Sequence, residues 1–197
     1  MKYLKWFDEI EGIKVYDDLT QFLGVNDDGI VDISYTDIVK SAGHSCATVA
    51  GAFLIAREGL KELFKDKLPK RGYIKVELSK NPTEDNAGVV ASVISMITGA
   101  THDMGFGGIP TGKFNRRDLL FFGVDDIDGD VRFTRTDTNE SVVVKYTPKK
   151  IVNPMEILKS AIKPDAKPED IESFPKRFQE MVKTVLENYD KVIEVTK

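Results

Sequence analysis

Helices and mostly antiparallel strands in one α+β chain are predicted by three observations. Two apolar runs at helical period, 47–64 and 86–97, have the length and end signals of buried helices. Short alternating runs at 73–78, 118–122, 131–136 and 142–147 read as strands, and tight turns join the last three as an antiparallel meander. A long amphipathic run from Pro175 places Phe178, Val182, Val185, Leu186, Tyr189 and Ile193 on one face. It makes residues 151–197 a helical C-terminal appendage to a core spanning 1–150.

Composition sets the outer limits. The chain has 197 residues, 41% of them apolar and 30% charged, ordinary values for a globular protein. Its net charge of −4 is mild and shows no basic stripe, which argues against nucleic-acid binding. No run approaches the roughly 20 apolar residues that span a bilayer, and Met1-Lys2-Tyr3-Leu4-Lys5-Trp6 has no apolar export signal. A soluble cytoplasmic protein without membrane partners is expected. The single cysteine excludes an intramolecular disulfide and a four-cysteine zinc knuckle.

In chain order, Asp17 to Gly24 reads as a short helix ended by glycine, and Asp27-Asp28-Gly29 as a turn into a strand at Ile30–Ile33. Asn26-x-Asp28-Gly29 lacks the acids a calcium loop needs at Gly24 and Tyr35. Ser34 and Asp37 have capping-box spacing and open a helix that Gly43 closes. That helix delivers His44 and Cys46. The central helix is apolar nearly all round from Ala47 to Ala56, with Gly51 admitting a close neighbour, and only after Arg57 does a charged face emerge. Pro69 and Gly72 interrupt the chain before the strand at 73–78. Asn86 is placed to cap the second helix, which Gly99 ends. Beyond the meander, Asn153-Pro154 starts a helix to about Ile162, and Pro164 and Pro168 stiffen the connection to the last helix.

His44-Ser45-Cys46 is the stretch with the most chemistry. Alternate residues of an extended segment point the same way, so imidazole and thiolate are placed to share one cation. Cys46 also stands at a helix start, where unpaired N–H groups and the dipole favour a thiolate. Two ligands fall short of the three or four that zinc takes, and a lone cysteine is most often a small buried hydrophobe. Residues 100–113 form a loop rich in glycine that holds His102, the second of two histidines. Within it Gly107 to Lys113 satisfies Gly-x-x-x-x-Gly-Lys, but Phe114 replaces the magnesium-binding hydroxyl and the loop runs from helix to strand, the reverse of a phosphate-binding loop. Lys113, Arg116 and Arg117 remain candidates for contact with an anionic ligand.

Gly43-His44-Ser45-Cys46 with the small-residue helix after it, and the 86–97 helix ending in Thr98-Gly99-Ala100-Thr101 before a glycine and lysine loop, resemble the core domain of the E subunit of formylmethanofuran dehydrogenase. The resemblance covers residues 30–123. Family members read Gly-His-Leu-Cys-Pro-Gly and Thr-Gly-Cys-Thr, with a further cysteine near the start of the second helix. Here Ala47-Thr48 stand in place of Pro-Gly, and Ala100 and Ala87 in place of the other cysteines. The resemblance implies an α+β core with a sheet packed on helices, a zinc site, and a homodimer. The family's C-terminal zinc finger has no counterpart in a chain without cysteine after Cys46. The dehydrogenase chemistry belongs to other components of that enzyme.

With His44 and Cys46 as ligands, His102 is the first candidate for a third, because it follows the second helix close to where the family carries cysteine. Asp85 and Asp103 are candidates to orient ligands or serve as base. Three ligands leave an open position on zinc for a small molecule in or near one-carbon metabolism. The alternatives are an assembly module with structural zinc and a metal-free enzyme with Cys46 as nucleophile. A homodimer is also expected from the apolar face after Pro175 and the apolar start of the central helix.

Overall fold

The computed structural model describes residues 2–197. A 3-10 turn at Lys5–Glu9 leads into strand β1 (Ile13–Tyr16), helix α1 (Asp18–Phe22), strand β2 (Ile30–Ile33) and helix α2 (Tyr35–Ala42). β1 and β2 form a two-stranded antiparallel sheet, with Ile13 opposite Ile33 and Val15 opposite Val31. β1 was not expected. Its four residues, Ile-Lys-Val-Tyr, are too short a run to stand out, and pairing with β2 is what stabilises them. Ser34 and Asp37 form the expected capping box on α2, and Gly43 ends it with φ of 76°.

Helix α3 (Ala47–Phe64) is the centre of the molecule. It packs on β5 (Val131–Arg135), β6 (Ser141–Tyr146) and β7 (Ile193–Thr196), with helices α4 (Ala87–Thr98) and α6 (Pro168–Glu187) beside it. Phe53, Leu54, Ile55 and Leu60 are buried almost completely, each contributing about 1.5–3 kcal/mol of transfer free energy. Gly51 is where the Tyr146 ring crosses the helix. A Cβ there would lie 2.3 Å from Tyr146 Cε1.

The second sheet has strand order β4-β3-β5-β6-β7, with β3 at Ile74–Leu78 and β4 at Leu120–Phe121. All pairs are antiparallel except β3 with β4. The architecture is therefore α+β with mostly antiparallel sheets. The expected three-strand meander is corrected at its first member. β4 reaches the sheet after crossover helix α4, which brings it back parallel to β3. Of the residues at 118–122 only Leu120 and Phe121 pair with β3, and the Leu119 and Leu120 amides bond to the Thr101 carbonyl. The other two strands form the expected hairpin. β7 was also unexpected, since Ile193 continues the helical stripe before it. A one-turn helix α7 (Tyr189–Val192) instead hands the chain to β6, with Val195 opposite Val144.

The C-terminal helices divide by burial. Met181, Val182, Val185 and Leu186 in the second half of α6 join the main core. Helix α5 (Pro154–Ile162) has no buried residue, nor has α6 before Met181, although Asn153 caps α5 as expected. Pro175 lies inside α6 rather than at its start. Of the two surfaces that suggested a homodimer, the start of α3 is covered by its own chain, and on the face after Pro175 Val182, Val185 and Leu186 are covered as well while Tyr189 stays exposed; the exposed Met155, Ile162 and Ile171 of the helical hairpin precede that face. Amides of α5 are expected to exchange at least about a hundredfold faster than those of α3, because few buried apolar contacts hold α5 in place. Equal protection in hydrogen exchange would show that something outside this chain covers the hairpin.

A buried ion cluster ties the small sheet to the rest. Asp17, 1% exposed, accepts from Arg71 Nη1 and Arg116 Nη2, both at 2.7 Å, and caps α1 through the Leu19 and Thr20 amides. Arg71 Nη2 donates to the Met96 carbonyl in the last turn of α4, where a cation suits the helix dipole. On the sheet, Arg132 grips Glu77 through Nε at 2.8 Å and Nη2 at 3.0 Å. Among the described residues no helix is long and apolar enough to cross a membrane.

Candidate functional site

The sequence-derived ligands are not brought together. His44 sits exposed after Gly43, its Nδ1 3.0 Å from the Ala42 carbonyl, beside a surface depression shared with Val89, Ser92 and Met96 on α4. Cys46 is the N-cap of α3, and its Sγ accepts from the Val49 amide at 3.5 Å. His102 is exposed in the loop after α4, its Nδ1 2.8 Å from Asp103 Oδ1. That hydrogen bond holds the Asp103 carboxyl below the ordinary aspartate range.

Helix length separates His102 from Cys46, whereas His44 lies along α4 beside Val89, Ser92 and Met96. Thr48, two residues after Cys46, meets Ala87 and Val90 in the first turn of α4, whereas His102 follows its far end. Twelve helical residues place those ends roughly 18 Å apart. Ala87 and Ala100, which stand where the resemblance expects cysteines, are divided the same way. Among the described residues no three His, Cys, Asp or Glu side chains form a group that could hold a metal ion. His44 and Cys46 supply two donors where zinc takes three or four, so the groups present do not fit a zinc site within one chain. The purified protein is expected to carry well under one zinc per chain, with a melting temperature unchanged by chelation. A full equivalent of zinc that disappears in Cys46→Ser would restore the zinc reading.

The other expected site residues are dispersed. Arg116 is 5% exposed and its guanidinium is engaged by Asp17, so it does not stand free for an anion. Lys113 is exposed in the glycine loop, which runs from α4 towards β4 as expected. Asp85 lies at the rim of a different feature, 3.6 Å from Lys80 Nζ.

That feature is a cleft of about 210 Å3 where the first turns of α3 and α4 meet the sheet. Ile55, Leu78 and Val131 form a buried apolar floor, and Ala87, Val90 and Pro148 the walls. Thr48, Lys80, Asp85, Asp130 and Tyr146 bring polar atoms to it. Asp85 and Asn86 have φ of 44° and 63°, two successive side-chain-bearing residues in the left-handed region, and Asn86 makes no side-chain cap to α4. Such backbone is unfavourable and is held by its surroundings, here the Ala87 amide on the Glu84 carbonyl and the Gly88 amide on the Pro82 carbonyl.

Tyr146 links the cleft to Cys46. Its hydroxyl donates to the Ala47 carbonyl at 2.8 Å, and its amide donates to Asp130 Oδ2 at 2.7 Å. Burial holds the phenols of Tyr146 and Tyr35 well above the ordinary tyrosine range, and the nearby Cys46 sulfur adds to the effect. Neither phenol is poised to take a proton from a thiol near neutral pH. His44 is directed to Ala42 instead of Cys46, so the nucleophile alternative has no base in hydrogen-bonding reach. Thr48, Asp130 and Tyr146 were not singled out in the sequence, where each is one more residue of a helix, turn or strand.

No protein-family model matches this chain, and no curated protein matches it. A solved structure from Syntrophus aciditrophicus, of a protein like the E subunit of tungsten formylmethanofuran dehydrogenase, is similar at 13% identity over 83% of this chain and 71% of the other, with a TM-score of 0.47. This is a distant likeness of shape.

Proposed function

We propose that this chain is a small-molecule-binding protein whose site is the cleft between the starts of α3 and α4. The observation that supports it is the pairing of a buried apolar floor with a polar rim, the pattern of pockets that orient small ligands. The volume is below the ~300 Å3 at which drug-sized pockets begin, so the ligand is smaller than a nucleotide. A wider depression of about 560 Å3 beside Tyr16 and Phe64 competes poorly. Two of its charged groups, Lys70 and Arg135, are already paired with Asp18 and Asp137, and the other two, Lys67 and Asp28, are exposed surface groups.

A library of small fragments followed by 15N NMR tests the reading. Shifts concentrated at Thr48, Val90 and Val131 support it, and shifts scattered over the surface would count against it. A second reading, zinc with a role near one-carbon metabolism, is supported by His44-x-Cys46 and the resemblance it carries. It needs ligands from beyond the groups this chain gathers, and the zinc content above decides it.

A further inference from the structure

We propose, resting on that cleft as the binding site, that its ligand is a small organic amine held as the ammonium ion. Three charged side chains line the cleft, namely Lys80, Asp85 and Asp130. Lys80 and Asp85 face each other at 3.6 Å and offset one another at the rim. Asp130 is left as the uncompensated charge. It is half-buried, no cation pairs with it among the described residues, and one oxygen, Oδ2, is taken by the Tyr146 amide. The other oxygen is free to accept.

A carboxylate held partly out of water gains most from a cation that brings its own N–H donors. An ammonium group supplies both. The floor of Ile55, Leu78 and Val131 then takes an apolar body. A carboxylate ligand meets the opposite situation. It would bring a second negative charge beside Asp130, with the one cation of the cleft already engaged.

Benzylammonium, benzyl alcohol and benzoate share one body and differ in charge, so titrating each against the intact chain by 15N NMR near pH 7 tests the proposal. Benzylammonium is expected to bind about tenfold more tightly than benzyl alcohol, the ordinary gain from a hydrogen bond to a charged group, and benzoate more weakly than either. Asp130→Asn keeps an acceptor for the Tyr146 amide and should weaken benzylammonium by about tenfold, and benzyl alcohol by less, so that the preference for the ammonium disappears. Benzoate binding most tightly, or benzylammonium no better than the alcohol, overturns the amine assignment while the cleft stands. If none of the three moves the Thr48, Val90 or Val131 resonances, the cleft itself is not the site and both readings fall.

Discussion

Asp17→Ala is expected to destabilise the protein by about 3–5 kcal/mol, the usual cost of removing one partner of a buried ion pair. The carboxylate is the point at which Arg71 and Arg116 converge, and Arg116 is almost fully buried. Without it the Arg116 guanidinium loses its one side-chain partner, since Nη1 has none already. At roughly 2–4 °C for each kcal/mol in a chain of this length, the melting temperature should fall by on the order of 10 °C. Asp32→Ala, which removes an exposed partner of Lys14, should change it little.

The same group gives a pH signature. Burial works to raise the Asp17 pKa, but the Arg71 hydrogen bond and the charges of Arg116 and Arg71 outweigh it, so the folded value lies below the ordinary 3.8. Glu77 behaves alike, with burial opposed and outweighed by Arg132 and Lys75, against an ordinary 4.5. Where a folded pKa is depressed, the unfolded chain binds more protons between the two values, so stability rises with pH there. The contribution is complete above the unfolded values and is lost as pH falls through the folded ones. Acid unfolding below about pH 4 should therefore be steep in the wild type and shallower in Asp17→Ala.

Gly51→Val should be the second most damaging single change, at about 1–3 kcal/mol from overpacking. The Tyr146 ring occupies the space a Cβ needs, and its hydroxyl is fixed on the Ala47 carbonyl, so the ring cannot simply swing away. Helix propensity works in the opposite direction, since glycine inside a helix costs about 0.8–1 kcal/mol relative to alanine. Valine is the sharper test because its branched Cβ recovers less of that gain. In a Tyr146→Ala background the penalty should vanish. If Gly51→Val is equally harmful there, the crossing of ring and helix is not its cause.

What could be read from the sequence follows from the range of the forces involved. α3 is legible to the residue because its start at Cys46, its apolar surface and the capping box and glycine of α2 before it are all local. Asn86 reads as an N-cap and does stand before α4, but in a left-handed conformation that turns its side chain away from the role. β1 and β7 depend on partners distant in sequence, so four residues of pattern do not reveal them. β4 carries a strand pattern, but whether it runs parallel or antiparallel depends on the crossover through α4.

The site is less legible than the fold. His44, Cys46 and His102 are chemically conspicuous, yet among the described residues they do not gather into a group that could hold a metal ion. Asp17 and Arg116 meet across 99 residues, a pairing that no local pattern announces. The cleft is likewise assembled from α3, α4 and three strands. Its Asp130 follows an Asp-Gly turn, where an acidic residue gives no sign that its carboxylate will be half-buried.

Filling the cleft tests its role as the binding site. Val90 stands half-buried in its wall, so the indole of Val90→Trp has open space to enter and α4 should remain folded. The measurement is affinity for benzyl alcohol and benzylammonium, by NMR titration, in the wild type and in Val90→Trp at matched melting temperature. If the ligand sits in the cleft, both should bind at least about a hundredfold more weakly to the variant, since a pocket this small cannot hold an indole and a ligand together. Unchanged affinity in a folded Val90→Trp protein would contradict the assignment and place the ligand elsewhere on the chain.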